Sequence, residues 1–124
     1  MKSFKNGAVI GYKEEAVKIP RRVGETTEMV DATLREIMIL ILNNAPLQTQ
    51  NDSIQGMRLA EALDKAEKNG KIELEEGTHD WLKTAAEKIT PSLFRINGNV
   101  VYKHICESFE KPHEENPREE KTTK

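Results

Sequence analysis

The chain has 124 residues, 36% of them hydrophobic and 32% charged, with a formal net charge of −2. That length fits one domain with a modest core, in which roughly two-thirds of the unfolded surface is buried. The near-neutral charge excludes a global pull toward nucleic acid or membrane. A single cysteine, Cys106, excludes an internal disulfide and points to a reducing cytoplasm.

The charge is unevenly spread. Residues 1–24 hold Lys2, Lys5, Lys13, Lys18, Arg21 and Arg22 against only Glu14 and Glu15, and the remainder is acidic. The basic start lacks the apolar stretch of a secretory signal. Ala8 to Tyr12 and Ala16 to Pro20 read as two short strands joined by Lys13-Glu14-Glu15, an N-terminal β-ribbon within residues 1–24. A lone two-stranded ribbon is marginal in water, so it must lie on the helical body or on a partner. Lys18, Arg21 and Arg22 at its end are the candidate partner-binding residues. They are either a solvated strand end or an electrostatic contact for phosphate or an acidic protein surface.

From Gly24 to Asp31 the chain leads into a central helix. Thr26 or Thr27 offers an early cap, with Met29 and Val30 already on its buried face. Thr33 and Glu36 have the spacing of a capping box. Ile37 to Leu42 carry no polar side chain, and Asn43-Asn44-Ala45-Pro46 ends the run. A helix apolar all round should be buried all round, and this one is too short to cross a bilayer.

A second helix is expected from an Asp52 or Ser53 cap to Asn69-Gly70, with Ile54, Met57, Ala60 and Leu63 inward and Leu59, Ala62 and Ala66 widening the stripe. Gly56 in its first turn suits the close approach of a neighbouring helix. Lys71 to Glu75 alternates with period two, burying Ile72 and Leu74. Thr78 caps a third helix bearing Trp81, Leu82, Ala85, Ala86 and Ile89, ended by Thr90-Pro91. Asn97-Gly98 reads either as a hairpin turn or as the entry to a last helix. The apolar spacing of Val101, Ile105 and Phe109, joined by Tyr102 and Cys106, favours the helix. From Lys111 onward two prolines and dense charge predict a disordered tail, 111–124.

The fold class expected is therefore mainly α: about four helices in a single domain, 1–110, with an N-terminal ribbon and a disordered C-terminal tail. No catalytic motif stands out, and neither a cofactor site nor a metal site is expected. His104 and Cys106 are two apart, a spacing that a helix turns to different faces, and His79-Asp80 reads as a first-turn surface pair. A winged-helix DNA-binding regulator is the alternative, with Thr78 to Ile89 as recognition helix and a wing turning at Asn97-Gly98. That helix mixes Lys83 and Lys88 with Asp80 and Glu87, which is poor for tracking phosphates. The motifs T-L-R-E with its aliphatic run, G-K-I-E-L-E-E, D-W-L-K and V-Y-x-x-I, within residues 33–105, resemble small phage- and prophage-encoded proteins. That resemblance implies an accessory or morphogenesis role and transfers no catalytic residue. The functional expectation is a non-enzymatic protein–protein interaction or assembly module, cytoplasmic in the host cell. It would bind another protein or itself, with no membrane contact and no nucleic acid.

Overall fold

The computed structural model describes residues 1–109; the expected tail, 111–124, lies outside them. Its elements in chain order are β1 (Lys2–Lys5), β2 (Lys18–Val23), β3 (Thr26–Asp31), α1 (Leu34–Asn44), α2 (Gln50–Asn69), β4 (Lys71–Leu74), α3 (Glu76–Phe94) and α4 (Gly98–Glu107). The protein is mainly helical with an N-terminal antiparallel ribbon. A three-residue 3-10 turn, Arg95–Asn97, is all that separates α3 from α4. The helices therefore count as three bodies, α1, α2 and the α3–α4 hairpin, rather than about four independent ones.

The caps explain the helix limits. Thr33 and Glu36 form the expected capping box at α1: the Glu36 amide donates to Thr33 Oγ1, and the Thr33 amide donates to Glu36 Oε1. A second capping box starts α2, formed by Thr49 and Asp52. The helix thus begins at Gln50, earlier than the Asp52 or Ser53 cap expected, because Asp52 is the third helical residue and not the cap. Gly70, at φ 74°, closes α2 in the left-handed conformation that glycine adopts without penalty. It turns the chain into β4, which pairs antiparallel with β1 so that Phe4 faces Ile72.

The core gathers Phe4, Leu34, Ile37, Met38, Ile41, Leu59, Leu63, Ile72, Leu74, Leu82 and Ile105 with almost no exposed surface. Two expectations about its faces fail. On α1, Ile39, Leu40 and Leu42 are only half-buried. The helix packs chiefly against α2 and α3, which leaves these three residues on its less covered side. On α2, Gly56, Leu59, Leu63 and Ala66 form the buried stripe, while Ile54 and Met57 are 41% and 60% exposed. The stripe is rotated because α1 crosses at Gly56. A Cβ there would stand 3.4 Å from Leu42 Cδ1, an ordinary packing distance, so α1 passes close by without requiring a glycine.

The third helix also differs from expectation. It starts at Glu76, so Thr78 is not its cap but a buried residue whose hydroxyl donates to Gln55 Oε1. It continues through Pro91, which sits in the last turn, to Phe94. The Asn97-Gly98 pair enters α4 and makes no hairpin, so the wing of a winged-helix domain is missing there. Instead α4 folds back along α3, so tightly that a Cβ on Gly98 would lie 2.8 Å from the Thr90 carbonyl oxygen.

Candidate protein-binding surface

The ribbon exists, but one strand later than expected. Ala8 to Tyr12 makes only isolated bridges, Ala8 with Thr33 and Ile10 with Ala16. The paired strands are β2 and β3, and Thr26 to Asp31 is strand where an early helical cap was expected. Gly24 decides this register. It takes φ 64° at the first position of a two-residue turn closed by Val23 and Thr26, and the Thr26 hydroxyl donates to the Val23 carbonyl. Strand propensity supports it, since Thr26, Thr27 and Val30 are β-branched.

Only the base of this hairpin rests on the body. Ile19 is buried and Val30 half-buried, but every residue from Pro20 to Met29 is exposed. Val23 is 48% exposed and Met29 60%. Below Met29 runs an open groove of about 320 Å³, bordered by Tyr12, Lys18, Leu93, Phe94 and Arg95. Arg95 holds the strained corner between α3 and α4, at φ 57° and ψ −125°. The corner is pinned from the N-terminal side, where the Tyr12 amide donates to Asn97 Oδ1 at 3.0 Å.

The candidate contact residues lie on one strand but do not converge. Lys18 and Arg22 share the face of the hairpin that carries Met29, and Arg21 points to the other face, toward α1. Lys18 pairs with Asp31 directly across the hairpin, which raises its pKa through that hydrogen bond. Arg21 pairs with Glu36. Arg22 has no ion-pair partner among the described residues. Of the three, Arg22 is the cation left for an external contact.

Elsewhere the polar side chains serve the fold. His79, expected on the surface, is 1% exposed. It stands three residues before Leu82 and seven before Ala86, on the core face of α3, between the rings of Phe4 and Phe109. Its Nε2 lies 2.7 Å from the Ile105 carbonyl, an unpaired acceptor in the last turn of α4, so the ring donates there and caps that helix. Burial lowers its pKa, and Nδ1 is buried without a partner. Asp52 accepts from Trp81 Nε1 at 3.0 Å and from the Gln48 and Thr49 amides, bonds that hold its carboxyl below the usual range and tie α2 to α3. Lys83, on the helix once considered for DNA recognition, is bound to Asp80. Among the described residues no group of three or more His, Cys, Asp or Glu side chains is placed to hold a metal ion. No described helix is long and apolar enough to cross a membrane.

The hairpin, then, defines a small helical domain with a projecting two-stranded arm. No protein-family model, curated protein or solved structure matches the chain. What the sequence alone did not reveal was β3 and its exposed Met29. The available signal was Val23-Gly24-Glu25-Thr26, a glycine two-residue turn between β-branched residues.

Proposed function

We propose that the chain is a non-enzymatic protein–protein interaction or assembly module whose contact element is the β2–β3 hairpin. One observation supports this above the others: in a two-stranded arm, too small to be stable alone, every residue from Pro20 to Met29 is exposed, Val23 and Met29 among them. Exposed apolar side chains on an unsupported strand pair gain stability from a protein surface. Arg22, on the face that carries Met29, gives a contact for an acidic group and steers association. The resemblance over residues 33–105 sets this in phage assembly or an accessory role, in the host cytoplasm.

The test is affinity capture from the encoding organism with the intact chain and with a Val23→Ser/Met29→Ser variant, read by quantitative mass spectrometry. Both side chains are exposed, so the variant should keep its circular-dichroism spectrum and lose the specific partner. The same partners at the same yield would show that the hairpin is not the contact element.

A further inference from the structure

The two edges of the hairpin are built differently. In a two-residue hairpin the pair flanking the turn, Val23 and Thr26, is hydrogen-bonded, and bonded and non-bonded pairs alternate from there. Arg21–Glu28 and Ile19–Val30 are therefore bonded across the hairpin. Arg22–Thr27, Pro20–Met29 and Lys18–Asp31 turn their backbone groups outward. On the β2 edge the outward positions are Lys18, Pro20 and Arg22. A proline with no N–H between two cations is how natural sheets blunt an edge against pairing. On the β3 edge they are Thr27, Met29 and Asp31, with no proline and no cation. That edge offers every N–H and C=O to another strand.

We propose that the occupant of the β3 edge is the β3 edge of a second copy of this chain, in a two-fold antiparallel pair centred on Met29. The proposal rests on the hairpin being the contact element and names its partner. The register is self-complementary. With Met29 facing Met29 of the second copy, Thr27 faces its Asp31 and Asp31 its Thr27, so each outward residue meets another outward residue. These pairs exchange about six backbone hydrogen bonds. Side chains agree with the backbone: methionine packs on methionine at the axis, Glu28 falls opposite Val30, and no like charges are directly opposed. Pairing β3 with β2 of another copy would match acid to base, but Pro20 interrupts the ladder and the contact would propagate as an open fibre. The two-fold arrangement instead makes a four-stranded sheet, β2-β3-β3-β2, whose outer edges are both the proline-blunted β2. Assembly stops at two.

The experiment is light scattering behind size exclusion, with sedimentation equilibrium, on the full chain across a concentration series. A monomer–dimer equilibrium is expected. Met29→Lys, which sets two ammonium groups together at the axis, should weaken it by roughly tenfold or more. Met29 is 60% exposed, so the variant should retain its helical spectrum and thermal midpoint. In a Cys106→Ser background, Met29→Cys should cross-link to a dimer under mild oxidant, since facing Cα atoms in a bonded pair lie about 5.5 Å apart. Arg22→Cys, on the blunted edge, should not. A chain monomeric up to roughly 1 mM overturns the proposal, as does equal cross-linking at the two positions. If the chain is monomeric while the Val23→Ser/Met29→Ser variant still loses a captured protein, the hairpin remains the contact element and only self-pairing falls.

Discussion

His79 makes the stability of this fold sensitive to mild acid. Its ring is enclosed by Phe4 and Phe109, donates through Nε2 to the Ile105 carbonyl, and leaves Nδ1 buried with no acceptor nearby. Protonation would place a second N–H and a full charge where nothing receives them. Burial accordingly lowers its pKa from 6.5, helped by Lys83 and Lys2 and opposed by the hydrogen bond to Ile105 and by Asp80. The unfolded chain binds the proton near pH 6.5 and the folded chain does not. The stabilisation is complete above 6.5 and is lost as pH falls toward the folded value. One proton taken up only by the unfolded state costs up to about 1.4 kcal/mol per pH unit. Between pH 7.5 and 5.5 the free energy of urea unfolding should drop by roughly 1 kcal/mol from this group. Half-buried His104, also lowered by burial, adds a second contribution of the same sign. His79→Gln keeps a donor for the Ile105 carbonyl and cannot titrate, so its stability, though lower, should vary less with pH. Equal unfolding free energies at pH 7.5 and 5.5 in the wild type, or an unchanged slope in His79→Gln, would refute the argument.

Four other substitutions test the packing. Ile37→Ala, at a site with no exposed surface, should cost about 2–5 kcal/mol in denaturant unfolding, and Leu40→Ala, half-buried, clearly less; equal costs would contradict the one-sided burial of α1. Gly98→Ala should cost about 1–3 kcal/mol, because its methyl would press on the Thr90 carbonyl and the Pro91 nitrogen, which are backbone and give way poorly. Arg95→Gly should raise the thermal midpoint, with a net gain of about 1 kcal/mol after the entropy of a new glycine is subtracted. A lowered midpoint would mean that the arginine side chain contributes more than its backbone costs.

Where a helix end carries its own chemistry, the sequence read well. The capping box of Thr33 and Glu36, the Gly70 stop and the Ile72/Leu74 alternation all appear as expected, since each depends on residues a few positions apart. Faces were harder. Which residues of α2 turn inward depends on where α1 crosses, near Gly56, Leu42 and Leu47, and those residues are not neighbours in the sequence. The ring of His79 shares the i, i+3, i+7 face of Leu82 and Ala86, and Phe4 and Phe109, from distant parts of the chain, cover it. β1 was missed because its four residues show only one inward apolar side chain, Phe4, and its partner β4 lies far along the chain. The candidate site was half legible. A basic ribbon near the N-terminus was expected, but the short apolar runs at Ala8 and Ala16 drew the strands too early.

Glu36 joins the arm to the core. One oxygen of its carboxylate closes the capping box of α1, and the other receives Arg21 from β2. The group that starts the central helix is therefore also the polar tie for the base of the hairpin. Ile19 and Val30 pack there on the same side. Beyond this base every residue from Pro20 to Met29 is exposed, so the hairpin is held at one end and solvated along most of its length. A binding element gains from this division. The fixed base removes part of the orientational freedom that association would otherwise have to remove, which favours affinity. The free edges leave the backbone groups of Thr27, Met29 and Asp31 hydrated until a strand replaces that water. An arm folded flat on the helices would be more stable but would have no edge to offer, and the exposure of Met29 follows from that choice.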